Sequence, residues 1–354
     1  MIDTLDIAFE KIAQSKLDQF DQDNFQFGKT YSDHMFMANY KNGAWQDMVI
    51  KPYGDLPISP ANTTLHYGQS IFEGLKAYRA ENGDILVFRP QANAQRMIKS
   101  AERMCIPVVS EEMFMTSMTE LLRIDSEWVP SKAGTSLYIR PASFGTDPFI
   151  GIKPSDEYMF LIFTCPVGAY YTKPVKVKIE THFTRAAVGG VGHAKTAGNY
   201  AAALYPAKQA QAQGYDQLIW TDGISHEYIE ESGTMNVAFL IGDTLVTAPT
   251  GDTILNGITR NSVLTLCRDW NINVEERRLS VKELISAVET DNLKEAFGIG
   301  TAATIAQIQT IGHEGTDYDL PSVDQWELAP KLMSSLDDIK YGRVEDIHGW
   351  TYKI

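Results

Sequence analysis

Two stretches of this 354-residue chain carry residue types from which covalent chemistry could be built. In GGVGHAKTAGNY, Lys195 is flanked by Gly189, Gly190, Gly192 and Gly198 and by apolar Val191, Ala194 and Ala197. Most lysines are solvated surface cations, but neighbours this small cannot build an exposed charged face. Withdrawal from water disfavours the ammonium form and leaves an amine that is nucleophilic toward an aldehyde. Tyr200 follows five residues later, where a phenol could hydrogen-bond a cofactor hydroxyl. In YIEESGTMN, adjacent Glu230 and Glu231 precede Ser232-Gly233-Thr234 and Asn236. Consecutive side chains of a strand point to opposite faces, which predicts one glutamate in solvent and the other turned inward. A buried carboxylate needs a cationic partner, and a protonated pyridine nitrogen would serve.

Two glycine-rich segments imitate nucleotide motifs, one of them the stretch around Lys195. GGVGHAKT nearly matches the phosphate loop GxxxxGK[ST], but Ala194 stands where the second glycine should let the backbone wrap a triphosphate. GIGTAA (298–303) resembles the dinucleotide fingerprint, yet it follows DNLKEAF, which reads as polar and helix-like rather than as a buried strand. Both segments still offer backbone able to approach an anion closely.

Composition bounds the alternatives. Hydrophobic residues make up 44% and charged residues 21%, an ordinary globular balance with material for a core. The net charge of −14, from 31 Lys+Arg against 45 Asp+Glu, disfavours nucleic acid, whose phosphates need a basic face. Cys105, Cys165 and Cys267 are far apart and form no CxxC pair or metal-ligand spacing, so no metal site is expected and the thiols read as reduced and cytosolic. The N-terminus lacks the apolar run of a signal peptide, and no stretch approaches the roughly 20 apolar residues of a membrane span. A soluble, cytoplasmic protein with no membrane partner is the expectation.

The elements that must position these residues read as α+β. A polar arm occupies about residues 1–30. Two extended runs then meet at Asn42-Gly43, a type I′ hairpin signal, and the device recurs at Asn82-Gly83. Pro90 opens a helix, a second runs from Glu111 to about Trp128, and TSLYIRPASFG and EYMFLIFTCPV read as strands. Hairpins followed by helices, without βαβ alternation, predict a small α+β domain over 1–167. A Gly/Pro linker at 168–174 leads to a larger domain over 175–354. There VKVKIET, DQLIWTDG and FLIGDTLVTAP read as strands, and Asn199–Gln213, Thr259–Trp270, Ser280–Thr290 and Trp326–Ile339 as helices. Pro206 predicts a kink in the first of these.

Taken in order, LHYGQSIFEGLKAYR, SLYIRPASFGTDP, AKTAGNY, EESGTMN, GITRNS and GIGTAA resemble the motifs of fold-type-IV pyridoxal-phosphate enzymes, and the first two are similar to those of the branched-chain amino-acid aminotransferases. The likeness runs from about residue 30 to the C-terminal DIKYGR. It implies a two-domain architecture with the cofactor site between the lobes. It also implies pyridoxal 5′-phosphate as cofactor and reversible amino transfer between L-leucine, L-isoleucine or L-valine and 2-oxoglutarate by a ping-pong mechanism.

The resemblance assigns Lys195 as the catalytic lysine that holds the cofactor and shuttles the substrate α-proton. Glu231, three residues before Thr234, faces the pyridine nitrogen, and Tyr200 bonds the phenolic oxygen. Arg96, Ile258, Thr259 and Thr301 hold the phosphate, the middle pair at a helix N-terminus where N–H groups favour an anion. Phe72, Tyr67, Tyr138 and Arg140 line the substrate pocket, Tyr67 and Phe72 as an apolar wall, with Thr234 and Ala302 also on the substrate side. Thr259 could equally be an ordinary N-cap. The CxxC of vertebrate members would fall where Ala303–Ala306 stands, so no thiol switch is expected there. A homodimer is implied. Within the fold the rivals are D-amino-acid aminotransferase and aminodeoxychorismate lyase, and outside it a P-loop nucleotide binder.

Overall fold

The structure is a computed structural model that describes residues 5–21, 25, 28–168, 171 and 173–354. The chain forms two compact units. The first comprises Met1–Ala169, Ala194–Ala197 and Asp338–Ile354, and the second Tyr170–His193 and Gly198–Asp337. The last residues therefore leave the larger domain that 175–354 was expected to form. Strand pairing explains why: Tyr352 faces Val87 in a ladder at the edge of the first unit's sheet. Ala169, Tyr170 and Thr172 of the expected linker, and positions 1–4, 22–24, 26 and 27 of the arm, lie outside the described residues.

The first unit is built on a nine-stranded sheet. Its strands are β1 (Ala8–Phe9), β2 (His34–Lys41), β3 (Ala44–Pro52), β4 (Ser70–Phe72), β5 (Leu75–Arg79), β6 (Ile85–Phe88), β7 (Ser136–Gly145) and β8 (Tyr158–Val167), with a last strand at Thr351–Lys353. Asn42 and Gly43 take φ of 53° and 82°, the left-handed pair a two-residue hairpin requires. Between β5 and β6 only Gly83 is left-handed, and the Ala80 N–H donates to Asp84, so that turn is longer than the simple pattern implied. The arm is docked rather than free. β1 pairs parallel with β3, Ser15 Oγ and the Lys16 N–H donate to Asp33, and the Ile12 N–H donates to His34.

Helix α1 (Thr63–Tyr67) is short, whereas α2 (Pro90–Arg103) and α3 (Glu111–Ile124) are amphipathic. α2 buries Pro90, Asn93, Ala94, Met97, Ser100 and Ala101, the spacing of one helical face. That face packs with α3 into a core that includes Phe36, Leu75, Val87, Phe114, Met118 and Phe160.

The second unit contains β9 (Val175–Glu180), β10 (Gln217–Thr221), β11 (Ile229–Ser232), β12 (Met235–Ile241), β13 (Thr244–Thr247), β14 (Asn273–Glu276), β15 (Leu293–Gly300), β16 (Thr304–His313) and β17 (Thr316–Asp319). The order β11-β10-β9-β16-β15-β12 closes on itself, because β11 also pairs with the first residues of β12. The helices are α4 (Ala197–Ala212), α5 (Ile258–Asp269), α6 (Val281–Glu289) and α7 (Leu328–Lys340). α4 continues through Pro206 instead of stopping there, and Gly214 beyond it has φ 86°. Among the described residues no helix is long and apolar enough to cross a membrane.

DNLKEAF misled the helix reading: Leu293–Gly300 is a buried strand. Its charged residue Glu295 is only 3% exposed. Its carboxylate accepts the N–H groups of Glu327, Leu328 and Ala329 at 2.8, 2.8 and 2.7 Å, capping the start of α7. A carboxylate satisfied by three N–H groups is compatible with a core strand. GIGTAA is then the antiparallel turn from β15 to β16, not the glycine loop of a βαβ unit.

Replacing Glu295 with alanine strands two buried donors and a third that is part-buried, so urea unfolding should show a loss of about 3 kcal/mol, and Glu295→Gln a smaller one. An unchanged midpoint for Glu295→Ala would contradict the capping role.

Candidate active site

The sequence-predicted residues fall in both units. In the first, Lys195 belongs to a four-residue segment tied to β4 by backbone bonds: the Phe72 N–H donates to the Lys195 carbonyl at 3.1 Å, and Ile71 bridges Thr196. The Lys195 N–H donates to Ser100 Oγ of α2 at 3.0 Å, and Thr196 Oγ1 donates to the Ser70 carbonyl at 2.8 Å. The lysine is thus half-buried and held by a strand edge and a helix. Its Nζ lies 5.0 Å from the centroid of Phe72, whose ring also carries the Arg140 guanidinium at 4.6 Å. Arg140 Nη2 donates to the Tyr138 hydroxyl at 2.9 Å. Lys195, Phe72, Tyr138 and Arg140 are therefore brought together. Gly74 permits this approach, because a Cβ there would come 2.0 Å from the Tyr138 hydroxyl. Tyr67 ends α1 and is 45% exposed.

Arg96 lies one turn before Ser100 on α2. It pairs with Glu73, Nε to Oε1 at 2.8 Å and Nη2 to Oε2 at 2.7 Å. Glu73 is fully buried and also accepts from Asn93 Nδ2 at 2.8 Å. This bidentate pair fixes the plane of the guanidinium. The sequence reading passed over Glu73, although a lone charge in the apolar run IFEGL was the available signal.

In the second unit, Glu230 and Glu231 sit on β11 and both are buried, at 8% and 3% exposure. The expectation that one would face solvent fails because loops cover both sides of the strand. Thr253 Oγ1 donates to Glu230 at 2.5 Å, and burial pushes the Glu230 carboxyl pKa up. Glu231 Oε2 lies 3.2 Å from Arg185 Nε, while Oε1 accepts the Leu255 N–H at 2.8 Å and Asn236 Nδ2 at 3.3 Å. Arg185, only 8% exposed along its side chain, was not singled out from the sequence, although it is the one charge in TRAAVGGVG.

The loop through Leu255 runs into α5, whose N-cap is Gly257 and not Thr259. Ile258 and Thr259 are its first two helical residues, and no side chain caps it. The first N–H groups of a helix favour an anion. Thr301 and Ala302 form the β15–β16 turn, half-buried. Thr234, exposed, sits in the β11–β12 turn. Tyr200 is on the first turn of α4, half-buried. Among the described residues no cluster of His, Cys, Asp and Glu could hold a metal ion.

Asp222 shapes the approach to β11. It accepts the N–H groups of Ser225, Glu227 and Tyr228 at 2.9, 3.0 and 2.9 Å, folding the turn that delivers the two glutamates. Burial alone would raise its pKa, but the Ser225, Tyr228 and Ile224 N–H groups and the Ser225 hydroxyl outweigh burial and hold it at about 2.

The model of the amino-transferase class IV family matches residues 70–311. Branched-chain-amino-acid aminotransferase 2 of Bacillus subtilis is 41% identical over 348 residues, 97% of this chain and 96% of the relative. A branched-chain-amino-acid aminotransferase of Mycolicibacterium smegmatis is 40% identical over 337 residues, 93% and 92% of the two chains. Among solved structures, the branched-chain amino acid aminotransferase of Escherichia coli superposes with a TM-score of 0.73 at 25% identity, covering 90% of this chain and 98% of that one. The chain belongs to the class IV aminotransferases, a family of pyridoxal-phosphate enzymes with the type IV fold. Within that family it is a transaminase of the branched-chain amino-acid group.

Because the folded pKa of Asp222 is depressed, the stability it supplies is present above the ordinary carboxylate range and is lost as pH falls from about 4 toward 2. Asp222→Asn should therefore be less stable than the parent at pH 7, with the difference shrinking over that window in urea melts. A difference that stays constant down to pH 2 would contradict the assignment.

Proposed function

We propose that this chain uses pyridoxal 5′-phosphate to move the amino group between L-leucine, L-isoleucine or L-valine and 2-oxoglutarate, as a cytoplasmic homodimer. The observation that carries this reading is the meeting of an amine, an apolar ring and a cation at Lys195, Phe72 and Arg140. One pocket must accept an aliphatic side chain and, in the other half-reaction, a carboxylate. Phe72 supplies a surface for the first. Arg140, whose Nε is buried with no hydrogen-bond partner, supplies a cation for the second.

The residues present fit the cofactor by their chemistry. Glu231 would face the ring nitrogen, its charge maintained by Arg185 and two hydrogen bonds. Tyr200 would donate to the ring oxygen. Arg96, the N–H groups of Ile258 and Thr259 at the uncapped start of α5, and Thr301 would hold the phosphate. When bound, the cofactor supplies the electron sink that makes the substrate α-hydrogen acidic.

With the cofactor bound, Lys195 Nζ would act as the base that takes the α-proton of the amino-acid substrate and, in the other half-reaction, returns a proton to the α-carbon of the oxo-acid substrate. Its backbone, pinned on both sides by Phe72 and Ser100, restricts where the amine can reach. Tyr67, Tyr138, Thr234 and Ala302 complete the substrate contacts, and Tyr138 orients Arg140 through its hydroxyl.

Transfer from L-leucine to 2-oxoglutarate should be readily measured, with D-leucine inert. Lys195→Ala should lower turnover by at least about a thousandfold, and an active Lys195→Ala protein or a preference for D-leucine would overturn the reading. Arg140→Ala should raise KM for 2-oxoglutarate about tenfold or more while leaving KM for L-leucine nearly unchanged, since only the former loses a charge-assisted bond. Equal changes for both substrates would remove Arg140 from the carboxylate role.

A further inference from the structure

The two anchor points assigned to the cofactor in the second unit, Glu231 and the start of α5, belong to different elements, yet one side chain touches both. Asn236 is the second residue of β12 and stands directly opposite Glu231 where β11 and β12 close the ring of strands. It is 6% exposed. Its Nδ2 donates to Glu231 Oε1 at 3.3 Å and to the Leu255 carbonyl at 3.0 Å. Both partners are acceptors, so chemistry alone requires the amide nitrogen on that side. The amide oxygen consequently points the other way, toward Gly257. A Cβ built on Gly257 would lie 1.9 Å from Asn236 Oδ1. Gly257 has φ −69° and ψ 128°, which any residue adopts, so the side chain of Asn236 and not backbone strain demands a glycine there.

From this we infer that Asn236 is a positioning residue that sets the spacing between the carboxylate at the ring-nitrogen end and the phosphate turn at the other, so that the cofactor is gripped as one rigid body. The inference rests on the cofactor reading above. Without Asn236, the 253–257 loop loses its side-chain tether at the Leu255 carbonyl, while the Leu255 N–H bond to Glu231, the Thr253 hydroxyl bond to Glu230 and the Arg185 bond to the Thr253 carbonyl remain at its earlier residues. Gly257 would then gain room to shift, and with it the N–H groups of Ile258 and Thr259. Glu231 would also lose one of its hydrogen-bond donors.

The test uses the full-length protein and measures the dissociation constant of pyridoxal 5′-phosphate, and of pyridoxal lacking the phosphate, for the parent, Asn236→Ala, Glu231→Gln and the double variant. Asn236→Ala should weaken pyridoxal phosphate about tenfold, the equivalent of one net buried hydrogen bond, and should weaken pyridoxal less. At saturating cofactor, kcat should fall while KM for L-leucine stays within about twofold. The losses in the double variant should be less than multiplicative, as for residues in contact. Gly257→Ala provides an independent readout: alone it should weaken the cofactor, and in combination with Asn236→Ala it should add little, because the oxygen it strikes is gone. An Asn236→Ala protein that melts earlier but binds pyridoxal phosphate with the parent's constant would reduce Asn236 to a purely structural role and overturn the inference. So would strict multiplicativity with Glu231→Gln. A parent protein that binds no pyridoxal phosphate would overturn the cofactor reading itself, and the inference with it.

Discussion

A carboxylate buried to 3% exposure cannot be left alone, and the pairing that makes Glu231 tolerable organises this part of the second unit. Arg185 supplies the compensating charge at 3.2 Å, Leu255 a backbone N–H and Asn236 an amide. Arg185 comes from the segment after β9, Leu255 from the loop before α5 and Asn236 from β12. Satisfying one charge therefore draws three separate pieces of chain to one point. Replacing a buried ion pair with apolar residues of similar volume is often neutral for stability. What such a replacement would lose is a fixed negative charge presented by a rigid strand.

The first unit repeats this logic with different residues. Glu73 is fully buried and is satisfied by Arg96 and Asn93, so a helix that would otherwise be held only by its apolar face is also oriented by charge. The same helix receives the Lys195 N–H through Ser100. Lysine side chains carry considerable rotamer freedom. Securing the backbone to β4 on one side and α2 on the other leaves that freedom to the four-carbon stem alone. Sites built on strands and helices hold their geometry better than sites on loops. The small residues around Lys195, read from the sequence as shelter for an amine, serve equally to let its backbone lie against Phe72.

Much of the architecture was legible because local physics agreed with the global fold. Asn42-Gly43 can do little but turn, and α2 displays its buried face in its spacing. The failures share one cause, a partner that lies far away in sequence. Lys294 and Glu295 make DNLKEAF look solvated, and only the N–H groups of 327–329 explain why Glu295 is buried in a strand. One of Glu230 and Glu231 was expected in solvent, because the Thr253 partner that buries Glu230 could not be foreseen. The C-terminal residues were assigned to the wrong unit because strand pairing with β6 is a contact across more than 250 positions. The ordered motifs pointed to Lys195, Tyr200, Glu231 and Arg96 as candidates. Their partners Arg185, Glu73 and Ser100 sit in segments with no motif of their own, and only the folded chain brings them into place.

The central claim is that a single lysine amine holds the cofactor, and reduction with borohydride tests it most directly. Treating the cofactor-loaded protein with borohydride fixes any imine irreversibly, and peptide mapping then locates the pyridoxyl group. The expected result is one labelled peptide, carrying the group on Lys195. Label on any other lysine, or none at all, would contradict the assignment.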